Sequence, residues 1–304
     1  MRFLLLVCMI LPGLLFGQAN ANYDPDHDLN GCYTMLDILS LLVIMLPDNA
    51  GFDTPNANYD PDFDGDGQIG IDDLIGLLTV FGTCIEEAQP CEPISMDGHT
   101  YAVVPIGDQC WFAENLRTTS YRNGDTLETD LSDMAWSNAT SGSTSTYGAG
   151  SSACLDDAPG LDACDDTLSL EATGRLYNWY AVNDERGLCP AGWHVPSHEE
   201  WQELECYLTT QVPTGTEGNA IKTSSGWYNG GNGTDQFGFS GKPAGRRNTN
   251  GDFGFAGKYS YWWSSTSEGE GAWFRFLYYI NSDVQSASGD ADFGFSVRCL
   301  QNVP

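Results

Sequence analysis

The segment N-A-N-Y-D-P-D occurs twice, at 20–26 and again 36 residues later at 56–62. A period of this size marks two copies of one supersecondary unit, each needing the other to cover its apolar side. After the second copy the chain runs D-F-D-G-D-G-Q-I-G-I-D-D, so Asp62, Asp64, Asp66 and Asp73 take the first, third, fifth and twelfth places of a calcium loop, with Gly67 at the sixth. In the first copy Asp26, Asp28, Asn30 and Asp37 take the same places, with Gly31 at the sixth. Calcium needs six to eight oxygens at about 2.3–2.6 Å, and alternate residues of a curling loop all face inward when a glycine takes the sharp turn. The seventh residues, Cys32 and Gln68, would each add a peptide carbonyl. Empty loops would hold several carboxylates in mutual repulsion, so two calcium ions are expected and folding should depend on them. Each loop leads into an apolar segment of helical length, 36–46 and 72–81; in the second, Leu74, Ile75, Leu77, Leu78 and Phe81 recur at helical spacing.

Duplicated loop-and-helix units closed by Asp resemble dockerin modules, over about residues 22–84. The resemblance implies a small all-α module and a cohesin-like scaffold as partner, or docking on a neighbouring domain. It departs at the positions where dockerins carry polar recognition residues, here Met35 and Leu36 in one copy and Ile71 and Asp72 in the other.

Arg2, an apolar run over 3–16 and the small-residue pattern Ala19-Asn20-Ala21 read as a signal peptide of residues 1–21. The run is too short for a membrane span, so a secreted, cell-surface or periplasmic product is expected. Twelve Lys+Arg against 42 Asp+Glu give a net charge of -30, a field that repels phosphate backbones and excludes nucleic acid as a partner. The ten cysteines become nine once Cys8 leaves with the leader; in an oxidising compartment they read as disulfide partners, with at least one left over. Cys154 and Cys164 are spaced to close a short loop.

Residues 85–94 read as a linker. From there Asp97-Gly98 predicts a hairpin turn, because Asp-Gly accepts positive φ. Residues 118–173, rich in Ser, Thr, Gly and Asp, read as a surface insertion, in which Asp156, Asp157 and Asp162 either bind a cation or are simply solvated. Ser197-His198-Glu199-Glu200 is a capping box ahead of a helix reaching about Leu208, with Trp201, Leu204 and Leu208 on its inner face. Short aromatic strands are expected at 237–241, 259–266, 272–279 and 293–299.

Five ordered motifs, I-G-D-Q-C-W-F-A-E-N-L (106–116), G-R-L-Y-N-W-Y-A-V (174–182), C-P-A-G-W-H-V-P-S (189–197), Y-W-W-S-S-T (261–266) and G-F-S-V-R-C (294–299), resemble the Fibrobacter succinogenes major paralogous domain over 95–302. The resemblance implies a C-type-lectin-like fold, shared with formylglycine-generating enzymes, and a Cys189–Cys299 bridge. The whole chain is therefore expected to be α+β: an all-α calcium-loop module, then a loop-rich lectin-like domain with short antiparallel strands and at least one helix.

Catalytic constellations are scarce. His27, His99, His194 and His198 lack the H-E-x-x-H or nucleophile-elbow setting, and His194 reads as a structural hydrogen-bonder. Glu114 is expected to pair with Arg175 or Arg298. The copper-binding cysteine pair of formylglycine-generating oxidases has no counterpart, and only Asn183-Asp184 is similar to the calcium-dependent sugar motifs of lectins. Trp227, Tyr228, Tyr259, Tyr261, Trp262, Trp263, Trp273, Tyr278 and Tyr279 exceed what burial in short strands uses, and exposed rings stack on sugars or anchor a partner. Trp227, Tyr228 and Trp262, beside Gly/Asn/Ser loops, are expected to be the exposed ones. The function expected is non-catalytic recognition of a glycan or cell-surface protein; the alternatives are an accessory enzyme of polysaccharide breakdown and a structural surface protein.

Overall fold

The computed structural model describes Asp62, Gln68, residues 70–80 and residues 91–302. The expected leader, the helix at 36–46, and Asp26, Asp28, Asn30, Cys32, Asp37, Asp64 and Asp66 lie outside these residues. The chain divides into two compact units between Pro90 and Cys91, inside the stretch read as a linker.

In the first unit, helix α1 (Ile71–Val80) matches the helix expected at 72–81. Asp72 and Asp73 stand in its first turn, where the helix dipole favours anions. Asp73 is buried and accepts a hydrogen bond from the Gly70 amide at 2.6 Å. Ile71, Ile75 and Leu78, at i, i+4 and i+7, form an exposed apolar stripe.

The second unit is mixed helix and sheet, mostly sheet with a few short helices. In chain order its described elements are β1 (Ile94–Met96), β2 (His99–Tyr101), β3 (Val103–Ile106), β4 (Gln109–Phe112), β5 (Glu128–Thr129), α2 (Asp133–Ser137), β6 (Ser143–Thr146), β7 (Cys154–Asp156), α3 (Asp166–Thr173) and β8 (Arg175–Tyr177). They continue with α4 (Trp179–Val182), β9 (Trp193–His194), α5 (His198–Gln211), α6 (Glu217–Ile221), β10 (Ala244–Arg247), β11 (Phe253–Ala256), β12 (Tyr259–Glu268), β13 (Gly271–Tyr278), β14 (Gln285–Asp290) and β15 (Leu300–Gln301). The largest sheet runs β14-β13-β12-β10-β11-β7, beside sheets ordered β3-β4-β15-β9, β5-β6-β8 and β1-β2. The Asp97-Gly98 turn joins β1 to β2 with φ of 51° and 76°, as expected of an Asp-Gly hairpin. Both side chains of the capping box bond as read, and α5 turns Trp201, Leu204 and Leu208 into the core.

Three disulfides tie this unit: Cys91–Cys110, Cys154–Cys164 and Cys189–Cys299; Cys206 is bonded as well. No cysteine is free among the described residues, and Cys32 and Cys84 lie outside them.

Residues 118–173 are not a surface insertion. They supply five elements, and Trp136, Tyr147 and all of β6 are buried. Small hydroxyl side chains tolerate this burial because backbone carbonyls satisfy them: Thr144 Oγ1 donates to the Leu176 carbonyl at 3.0 Å. Residues 237–241 form a turn and irregular chain rather than a strand, with one isolated bridge from Gly241 to Lys222, and 293–299 make isolated bridges to Tyr177, Arg247 and Trp262.

A buried polar hub joins motifs far apart in sequence. Asn115 Oδ1 accepts from Trp262 Nε1 at 2.9 Å and from Arg298 Nε at 2.7 Å. Arg298 also donates to the carbonyls of Phe112, Phe239 and Ser240. Its acceptors are neutral, and burial lowers its pKa to about 9. Glu114 pairs instead with Arg117 and His99, at 3.0 and 2.9 Å, because Arg298 turns inward to the hub.

Candidate functional site

Strict alternation sorts the aromatic residues of the β12–β13 ribbon. Tyr259, Tyr261 and Trp263 point to one face; Ser260, Trp262 and Ser264 point to the other. Cross-strand pairing then sets three aromatic rungs, Tyr259 with Tyr278, Tyr261 with Phe276, and Trp263 with Phe274, at ring separations of 4.2, 5.9 and 6.1 Å. The ladder runs from a fully buried rung at Trp263 to a half-buried one at Tyr259 and Tyr278.

Further rings widen the open end. Tyr279 stands edge-on to both Tyr278 and Tyr228, with centroids 4.8 and 5.4 Å away, and Phe255 stands edge-on to Tyr259 at 5.4 Å. Main-chain bonds fix them: the Tyr228 amide donates to the Gly257 carbonyl and the Tyr279 amide to the Lys258 carbonyl. Phe255 has φ of 72°, a strained setting for an aromatic residue, and is 37% exposed. The opposite strand permits it through Gly245, whose φ is 66° and where a Cβ would meet the Gly254 carbonyl oxygen at 2.7 Å.

Two cations border the rings. Lys258 Nζ lies 4.8 Å from the Tyr228 centroid and 2.8 Å from Asp157 Oδ2, a bond that raises its pKa. Arg246 lies 4.8 Å from the Phe255 centroid, 5.4 Å from Tyr261 and 4.8 Å from Phe293. The sequence reading missed Arg246, although G-R-R at 245–247 stands out in so acidic a chain.

The three expected ligand contacts divide. Tyr228 is 37% exposed and belongs to this surface. Trp227 and Trp262 are each 1% exposed, correcting the expectation. Trp227 turns inward because the Gly241 carbonyl accepts from its indole N–H at 3.1 Å, while Asn232 holds its amide. Trp262 lies on the inner face of β12, against Trp201 and Phe239 and bonded to the hub.

Among the described residues no group of three or more His, Cys, Asp or Glu is arranged to hold a metal ion. Asp156 and Asp162 accept from the Ala158, Ala163 and Cys164 amides and so brace their own loop, while Asp157 pairs with Lys258 and ties that loop to the β11–β12 connection. His194 bridges Asn302 and Glu200 at 2.7 and 2.8 Å, a structural hydrogen-bonder as expected. A separate open cleft of about 420 Å³ is lined by Ser137, Tyr180, Thr249, Glu270, Asp290 and Asp292. There desolvation, then the charges of Asp292 and Glu270, push up the Tyr180 hydroxyl.

Fold and surface together define a disulfide-tied domain of short sheets that opens an aromatic platform at one sheet end. A protein-family model, the Fibrobacter succinogenes major domain, matches residues 104–301, and the chain belongs to that family. No curated protein and no solved structure matches it.

Proposed function

We propose that the protein is an exported, non-catalytic recognition protein whose larger unit binds glycans through the platform of Tyr228, Phe255, Tyr259, Tyr278 and Tyr279. The observation that carries this reading is the unfinished ladder: rings that elsewhere pack on rings are left half open, as flat apolar faces beside Lys258 and Arg246. Sugar rings present matching flat C–H faces, and hydroxyls that the bordering cations can bond. A C-type-lectin-like arrangement is the fold we infer for this unit. The duplicated loops are read as two calcium sites that fold an attachment module, and the exposed stripe Ile71, Ile75 and Leu78 supports docking on a cohesin-like or other protein partner. A glycan array probed with the full chain and with Tyr228→Ala/Tyr259→Ala tests the main reading. Retained binding by the folded double variant would overturn it.

A second reading, an accessory enzyme of polysaccharide breakdown, draws on the cleft with Glu270, Asp290 and Asp292. Release of reducing sugar from a polysaccharide panel, abolished by Glu270→Gln or Asp292→Asn, would favour it.

A further inference from the structure

Arg246 carries the strongest unused chemistry in the described structure. Its Nε donates to Asn248 Oδ1 at 2.9 Å, which fixes the plane of the guanidinium. Its terminal nitrogens make no hydrogen bond or ion pair with the described residues, and the residue is half-buried. Other arginines are engaged with oxygen acceptors: Arg247 bonds the Gly251 and Leu131 carbonyls although its Nη1 is buried without a partner, Arg275 bonds Glu205, and Arg186 bonds Asp184 and Asp125.

Three aromatic rings around a cation desolvate it and attract it electrostatically, but they satisfy none of its N–H donors. A guanidinium held this way keeps its planar fork free for a planar acceptor, and the carboxylate is the acceptor whose two oxygens match that fork. Phe255 and Tyr261, which flank Arg246, both lie against Tyr259, so the fork and the stacking surface are continuous. The net charge of -30 opposes any polyanion at long range, as it does nucleic acid, but at about 0.1 M salt that field is screened beyond roughly 10 Å, so a single carboxylate in contact with Arg246 answers to local chemistry.

We propose that this surface selects acidic glycans, sugars bearing a ring carboxylate, with Arg246 as the carboxylate's partner; this rests on the glycan-recognition reading above. The test uses the full chain and paired probes: polygalacturonate, alginate, glucuronoxylan and a sialylated oligosaccharide, each beside its carboxyl-reduced neutral form. At least one acidic probe is expected to bind tenfold or more tightly than its reduced form, and Arg246→Gln should erase the difference. Arg246→Lys, which keeps the charge but not the fork, should fall between the two. Thermal melting checks that both variants fold; if Arg246→Gln does not, the Arg246→Lys result decides. Equal binding of acidic and reduced forms, lost in Tyr228→Ala/Tyr259→Ala, would overturn the acidic preference and leave glycan recognition standing. Binding to no probe in either form would overturn both.

Discussion

The two ends of the β12–β13 aromatic ladder are built from the same kind of residue and do opposite work. At the closed end Trp263 and Phe274 meet Phe295, with Trp263 Nε1 donating to the Tyr177 carbonyl at 2.7 Å. At the open end Tyr259 and Tyr278 stack on each other, with cations at the border rather than a second layer of core. Aromatic content alone therefore does not separate core from surface; what lies above each rung does. The closed end is expected to set stability, and the open end to set binding.

The most direct way to break that division is Trp263→Ala. It removes a fully buried indole and leaves a cavity, so it should lower the unfolding free energy by about 3–5 kcal/mol. Denaturant melts measure this, and a loss under about 1 kcal/mol would show that the closed end is not the anchor. Breaking the Cys189–Cys299 bridge should act on the same core, to which both cysteines belong. The sequence separation is 110 residues, and the chain-entropy account gives roughly 4–5 kcal/mol for such a loop before native-state strain is considered. Melting Cys189→Ser/Cys299→Ser should thus show a loss of about 2–5 kcal/mol.

The open end predicts the reverse. Tyr259→Ala removes a half-buried ring that meets Phe255, Tyr261, Phe276 and Tyr278, and should destabilise by about 2 kcal/mol, less than Trp263→Ala. Glycan affinity should fall tenfold or more, and Tyr228→Ala should act in the same direction. A Tyr259→Ala protein that loses stability but still binds would reverse the assignment.

What the sequence could reveal about this contrast follows from how local each signal is. Period-two alternation in Y-S-Y-W-W, the Asp-Gly turn, the capping box and the short Cys154–Cys164 loop rest on neighbouring residues, so they could be read directly. Tyr228 was legible for the same reason. Trp227 and Trp262 were not, because their burial depends on Gly241, Asn115 and Arg298, brought near only by the fold. The buried run at 143–146 was hidden because hydroxyl side chains read as solvated until their carbonyl partners are known. Arg246 was invisible as a site because its cage is assembled from Phe255, Tyr261 and Phe293 on three separate segments.

The smallest expected effect separates the two ends by pH. Trp193, in the same core as Trp263, is followed by His194, whose bond to Glu200, assisted by Asn302, raises its pKa above the ordinary 6.5. That pair contributes stability in full below about 6.5 and loses it as the pH rises through the raised folded value. Glu200 acts at the other limit: desolvation opposes its ionisation, but hydrogen bonds from His194 and Ser197 lower its pKa below 4.5. Its share is present above 4.5 and is lost as the pH falls through the lowered value, so the pair is strongest between about 4.5 and 6.5. Both groups are partly open to water, so screening limits the effect to about 1 kcal/mol or less. His194→Gln should therefore lower Tm by more at pH 5.5 than at pH 8.5. At the open end the hydrogen bond to Asp157 raises Lys258 above its ordinary 10.5, which keeps its ammonium charged across this range. Binding measured at the two pH values should then stay level while the stability gap between wild type and His194→Gln narrows; a gap that widens toward pH 8.5 would contradict the charge pairing at His194.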